Sequence, residues 1–363
     1  MLDRLDKDFK KDFEALCNKI SSNENFAFVR FSDGEADILK NIRLILADDY
    51  VIEGNVKHDF GYSKEDHKHF DPEKHGFVRE KLMESFLFSK ENYYTGIACP
   101  CCIGGKNAHV WMKKLVKRTN ENLTWANLLV NGNYKMFVEK MIPILSKRKI
   151  VLVCSKNADI EKTRKELNFD IVKDFRVGEN CIVNDHHLIE DIKKWIREND
   201  IENHVFLFSA SSLSEILIYE LFKDYGNNTY LDIGTTLHPF FGLKLERDYL
   251  KGYFSESYNS QDINKACEWS NDIYFVNCED YPQYWNNIMD LREKLELKTE
   301  KDRNEYMMEN AKNFAVVLID NEFAGYGGLF GREITIAVDP RFQGQGVGKY
   351  LFDNLLKLCE SVI

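Results

Sequence analysis

Three apolar runs, KIVLVC at 149–154, HVFLFSA at 204–210 and TYLDIG at 229–234, are long enough for strands and too short for buried helices. Between them stand a SKNAD turn with a helix, the strand-like FDIVKDFRV, the amphipathic HLIEDIKKWIREN and the helical SSLSEILIYELFKDY. Continuous apolar strands alternating with helices of this length require crossover connections and a parallel sheet buried on both faces. The same alternation starts earlier. Leu2, Leu5, Phe9, Phe13, Leu16 and Ile20 mark an amphipathic helix over 1–21, and FAFVRF at 26–31 is a buried strand. YYTGIACP at 93–100 is a strand, AHVWMKKLVKR a helix, WANLLV at 125–130 a short strand or turn, and YKMFVEKMIPIL a helix. The fold class is therefore α/β, a Rossmann-like and mostly parallel sheet. A length of 363 residues suits two domains, and residues 250–272 lose periodicity and gather Ser, Asn, Gly and Asp. The boundary is placed near 260, giving domains 1–260 and 261–363.

The strand ending at Phe31 runs straight into Ser32-Asp33-Gly34-Glu35, then into a helix expected to continue through about Leu46. In open α/β sheets ligands bind outside the carboxyl ends of the strands. Two carboxylates separated by a glycine can offer oxygens to a divalent cation, Mn or Mg, and leave positions for phosphate and water. The competing reading is a helix start, with Ser32 or Asp33 as cap and Glu35 complementing the dipole. Residues 50–76, rich in Asp, His, Lys and Gly, read as a long surface excursion near this turn. Further strand ends supply Ser155, Lys156 and Asn157, then Ser209, Ser211 and Ser212 opening a helix, then Thr235, Thr236 and His238. Hydroxyls and backbone N–H groups at helix starts suit an anion. With Arg30 these form the expected ligand edge. Candidate bases are Asp232, His238 and Asp37, each with a structural alternative as a turn cap, a packed ring or a solvated helix residue.

A net charge of −10 and pI near 5.5 speak against a nucleic-acid groove, and KKLVKR at 113–118 reads as a solvated helix face. No apolar run reaches the ~18 residues of a membrane span, and the charged start lacks a signal-peptide core, so a cytoplasmic protein is expected. Nine cysteines without framework spacing suit reduced thiols. Cys99-Pro100-Cys101-Cys102 lacks the second pair a structural zinc site needs, and the Gly104-Gly105-Lys106 turn after it is placed near the ligand.

RFSDGE, VLVCSKNA, FLFSASSLSEILIYEL and YLDIGTTLHPFF together resemble the GT-D glycosyltransferases, over roughly residues 20–245. The resemblance implies a Rossmann-like enzyme of bacterial surface-glycan assembly that moves a sugar from a nucleoside-diphosphate donor, a UDP-sugar first among them, to a glycan or glycoprotein acceptor. It gives Asp33 and Glu35 to metal and sugar-nucleotide binding, and Arg30 fits its motif. Where the family often has Gly-Pro, this chain has Ala210-Ser211. Two rivals stand beside this reading. One is an S-adenosylmethionine methyltransferase, from the LDIGT turn at 231–235, which follows the last strand of its domain instead of the first. The other is a nucleotide-sensing or scaffold protein.

After 273 the pattern changes to DIYFVNCED, a helix around YWNNIMDLREKLEL, a polar helix to about Asn313, and a hairpin turning at Asp320-Asn321. A strand from Ile334 to Val338, a Pro stop and Gln343-Gly344-Gln345-Gly346-Val347-Gly348 opening a helix then present unobstructed N–H groups to a pyrophosphate. This segment resembles motif A of the GNAT acetyltransferases. By that resemblance Val338 faces the pantetheine arm of acetyl-CoA, Gln343, Gly344, Gly346 and Gly348 cradle the phosphates, and Glu333 stands where some members keep a general base. Family members continue into further strands where this chain reaches Ile363, so a partial GNAT module is expected, binding acetyl-CoA weakly.

Overall fold

The computed structural model describes residues 9–58, 67–99, 108–109, 111–113, 115–116, 122–245, 247–254, 282–295, 314–319, 322–330, 333–344 and 347–360. The chain forms two compact units. One comprises Leu5–Cys99 with Met112–Glu268, the other Trp269–Ile363 with Met1–Arg4 and Pro100–Trp111. No helix among the described residues is long and apolar enough to cross a membrane.

The first unit is built on seven parallel strands, in spatial order Leu123–Trp125, Tyr93–Ile97, Ala27–Phe31, Thr229–Asp232, Val205–Phe208, Lys149–Ser155 and Asp170–Val177. Every residue of Val205–Phe208 and Thr229–Asp232 is buried, as continuous apolar strands under helices must be. The first and the last strand of this sheet in chain order lie side by side at its centre, with Ala27 opposite Tyr230 and Phe28 opposite Leu231. Ladder bonds continue past the strand ends. Ser209 N donates to Val153 O at 2.7 Å and Ile233 N to Phe208 O at 2.9 Å, so Arg30, Ser209 and Ile233 stand at one level of one edge.

The structure departs from expectation after the Asp33 turn. The helix is Asp33–Leu39 only, and Asn41 adopts a left-handed φ of 64° that ends it. Within the expected excursion, Val51–Glu53, Val56–His58 and His69–Phe70 join Leu44–Leu46, a segment expected in the helix, in a four-stranded antiparallel sheet ordered Val56–His58, Val51–Glu53, Leu44–Leu46 and His69–Phe70. WANLLV contributes only Trp125 to a strand, Leu123–Trp125, and the rest turns.

In the second unit Phe314–Ile319, Glu322–Phe330 and Glu333–Val338 form an antiparallel meander, and Ile319 faces Glu322 across the expected hairpin. A helix, Val347–Glu360, follows the short Pro340–Phe342 turn and packs Val347, Leu351 and Leu355 against Ala315, Val317 and Ala324. Gly327 makes that packing possible, since a Cβ there would lie 2.6 Å from Leu355 Cδ1. Pro282–Lys294 is also helical, and its buried Arg292 donates through Nη1 to the Tyr326 hydroxyl at 2.6 Å. The expected strand at 273–281, the polar helix to 313, and Cys101, Cys102 and Gly104–Lys106 lie outside the described residues.

Candidate active site

Two buried ion pairs stand at the carboxyl edge of the central strands. The first is made by the Asp33 turn. Ser32 caps the helix in extended conformation, and Glu35, three residues on, reaches back so that its Oε2 accepts from Ser32 N at 3.0 Å and Ser32 Oγ at 2.7 Å. Its Oε1 accepts from Lys68 Nζ at 3.3 Å and from Ser212 Oγ, and Lys68 Nζ also donates to Ser212 Oγ at 2.6 Å. Burial pushes the Glu35 carboxyl up, but the Lys68 charge and the bonds from Ser212 and Ser32 outweigh it and hold the pKa at about 2. Asp33, one residue before the glycine, is exposed, and its Oδ1 accepts from the adjoining Gly34 N at 3.1 Å.

The second pair joins the neighbouring first and last strands. Arg30 Nε donates to Asp232 Oδ2 at 3.0 Å, and Gly234 N donates to Asp232 Oδ1 at 2.8 Å. Arg30 Nη1 donates to Ala126 O at 3.3 Å. Gly234 has φ of 51°, and a Cβ there would meet the guanidinium, 2.9 Å from Arg30 Cζ. The glycine turn expected in a methyltransferase reading is thus packed by an arginine. Thr235 Oγ1 meets the Tyr249 hydroxyl at 2.7 Å, and the Tyr134 hydroxyl donates to Thr236 O at 2.9 Å, which fixes the loop after the last strand.

A third carboxylate completes the cluster. Glu215, in the first turn of the helix Leu213–Asp224, is 2% exposed, and its Oε2 meets no hydrogen-bond partner among the described residues. Burial, with the charges of Asp232 and Glu35, pushes its pKa well above the ordinary carboxylate range. Asp232 is likewise lifted by burial, against the pull of Arg30. Asp37 is half-buried, one helical turn beyond Asp33 and on the opposite side of the helix from Glu35. Burial, with Glu53 nearby, raises it to about 7.

Sequence-predicted residues divide accordingly. Arg30 meets Asp232 in one direct contact, and Glu35 meets Ser212 in another. Ser155 and Asn157 bond one another, with Asn157 N donating to Ser155 Oγ at 3.2 Å, and Lys156 N donates to Val177 O at 2.9 Å. Ser209 is half-buried at its strand end, and Ser211 takes a left-handed φ of 47°. His238 is half-buried in the loop after Asp232, and its carbonyl accepts from Leu243 N at 3.0 Å. Lys68 and Glu215 escaped the sequence reading.

The expected cation does not fit Glu35. All four lone-pair sites of its carboxylate already have donors, and a metal there would face the Lys68 ammonium. Among the described residues no group of three or more His, Cys, Asp or Glu side chains is placed to hold a metal ion. Cys99, expected as a reduced thiol, is disulfide-bonded.

In the second unit, Gln343 Nε2 donates to Val338 O at 3.2 Å, so that carbonyl already has an acceptor's role inside the loop. Asp339 accepts from Arg341 N at 2.9 Å and caps the turn, while Gly344 takes φ of 80°. Glu333 begins its strand and Gly348 lies in the first turn of the final helix. Gly346 lies outside the described residues.

The model of the Acetyltransferase (GNAT) family matches residues 263–362. No curated protein matches the chain. Among solved structures, a selenomethionine-substituted domain of unknown function 1792 is similar at 12% identity, covering 69% of this chain and 92% of that one, with a TM-score of 0.39. A second is described as the highly conserved domain of unknown function 1792 with a distinct glycosyltransferase fold. It is 11% identical, covers 68% of this chain and 88% of that one, and has a TM-score of 0.39.

Proposed function

We propose that the first unit transfers a sugar from a nucleoside-diphosphate donor, a UDP-sugar first among them, to a glycan or glycoprotein acceptor. The observation that carries this reading is the convergence of Arg30, Asp33, Asp232 and the Ser212 helix start at the carboxyl edge of adjacent parallel strands, where α/β sheets take nucleotides. RFSDGE and its companion segments, with their GT-D resemblance, supply the reaction type. In this reading Arg30 offsets charge developing on the departing diphosphate, and Asp232 aims the guanidinium. The positive end of the twelve-residue Leu213–Asp224 helix adds to it. Asp33, exposed and bonded to the adjoining Gly34 N, orients the donor. Asp37, with a pKa of about 7, matches what a general base at neutral pH requires.

The second unit takes acetyl-CoA, as the GNAT match over 263–362 supports, with its pyrophosphate held by Gln343, Gly344 and Gly348 and the dipole of the Val347–Glu360 helix behind it. Calorimetric titration with UDP, GDP and acetyl-CoA tests both halves. Arg30→Met is expected to abolish nucleotide binding and leave acetyl-CoA binding intact. Nucleotide binding that persists unchanged in Arg30→Met sinks the assignment of the edge.

A further inference from the structure

We infer that Glu35 is a positioning residue and not a ligand to a cation: with Lys68 and Ser212 it forms a buried clamp that fastens the antiparallel sheet of Leu44–Leu46, Val51–Glu53, Val56–His58 and His69–Phe70 to the donor edge and sets the turn carrying Asp33. The inference deepens the proposed nucleotide site and rests on that reading for its ligand arm.

Saturation of the carboxylate is the first argument. Ser32 N and Ser32 Oγ occupy Oε2, and Lys68 Nζ and Ser212 Oγ occupy Oε1. A cation entering this shell would strip buried donors of their acceptor and sit against an ammonium 5% exposed.

Connectivity is the second. The four donors come from three separate places: the cap of the Asp33 helix, the residue before the His69–Phe70 strand, and the start of the Leu213–Asp224 helix. Lys68 is also part of the antiparallel layer through its carbonyl, which accepts from Leu46 N at 2.8 Å. A second fastening lies next door, where Asn180 Oδ1 accepts from His69 N at 2.9 Å and Asn180 Nδ2 donates to His69 O at 3.3 Å. The layer is pinned at one end by these two points.

The third argument is placement. A Cβ on Gly34 would lie 3.6 Å from Lys68 Nζ, so the ammonium sits directly beneath the turn that presents Asp33. Loss of the clamp therefore reaches Asp33 without touching it. It also explains why a lysine would be held in a buried position at this edge, where the same residue on a flexible stem would ordinarily seek water.

The experiment compares the full chain with Glu35→Gln, Lys68→Met and the double variant by hydrogen exchange and by UDP titration with Mn²⁺ or with EDTA. Each single variant is expected to speed exchange of the Leu44–Leu46 and His69–Phe70 amides about tenfold or more, and the double variant no further than the worse single, because both remove one interaction. Lys68→Met leaves a buried carboxylate unpaired. Should it not fold, the double variant and the milder Ser212→Ala carry the comparison. UDP affinity should fall alike in both single variants, and the ratio of affinities with Mn²⁺ and with EDTA should stay within about twofold of wild type in Glu35→Gln. A Mn²⁺ dependence lost in Glu35→Gln and kept in Lys68→Met overturns the inference, as does unchanged exchange of the layer in both variants. Absence of UDP binding in the wild type sinks the proposed function instead, and the exchange arm still decides the clamp.

Discussion

Glu215→Gln should make the first unit more resistant to alkali, in an amount the structure lets one work out. Glu215 shares its neighbourhood with two carboxylates, and each of those has a cation of its own, Arg30 for Asp232 and Lys68 for Glu35. Ionising Glu215 adds a third buried negative charge to two cations already paired, and among the described residues its Oε2 has no donor to soften the cost. The folded-state pKa is therefore raised above that of the unfolded chain. Protonation favours the fold fully below the ordinary carboxylate value, and this contribution is lost as pH rises from there through the folded pKa. The loss amounts to about 1.4 kcal/mol for each pH unit crossed in that window. Glutamine has nearly the same shape and does not titrate, so the slope disappears with it. Urea titrations read by tryptophan fluorescence between about pH 5 and pH 8 test this. The stability difference, variant minus wild type, should climb with pH at about 1.4 kcal/mol per unit while Glu215 remains protonated. A small cost at the acid end is compatible with this, because the amide also lacks partners. Parallel curves for the two proteins, with a difference that does not move with pH, would refute the reasoning.

Gly234→Ala should destabilise the first unit by about 1–3 kcal/mol, because it combines a left-handed φ with a Cβ pressed on Arg30, and a melting point unchanged from wild type would contradict that packing. Tyr326→Phe removes the acceptor from buried Arg292 Nη1, whose Nε already lacks one, and should cost about 1–3 kcal/mol in denaturant unfolding of the second unit. Asp37→Asn should flatten the pH dependence of UDP-sugar turnover near neutrality. Retention of a wild-type profile would remove Asp37 as base.

Continuous apolar runs announce themselves, which is why 149–155, 205–208 and 229–232 were legible, and with them the parallel sheet and its ligand edge. The antiparallel layer was not. Its strands run two or three residues each, too short for alternation to register against a background of Asp, His and Lys. Lys68 looked like one of those surface lysines because nothing local marks it. Its partner lies 33 residues away, and only the fold brings them together. Glu215 is a different case. The run LSEILIYELF is apolar almost all round, and such a helix is buried on every side, so a glutamate within it was already a buried carboxylate on the printed sequence. His238, Ser155 and Asn157 were chosen because they follow strands, a rule that selects the edge but does not distinguish residues that close the loop on itself from residues that face a ligand.

The adjacency of the first and last strands also has a consequence for how this chain is made. Arg30 leaves the ribosome 202 residues ahead of Asp232, and at ~5–20 residues per second that interval is on the order of ten to forty seconds. Once Tyr93–Ile97 has been made, the central strand Ala27–Phe31 can pair with it on one side, while its other edge, which will take Thr229–Asp232, stays without that partner until the end of the interval. A nascent chain is therefore exposed to mispairing at its own centre, and not at the rim where sheets usually carry that risk. Synonymous codons that slow synthesis between the two strands should raise aggregation, whereas slowing after Asp232 should not.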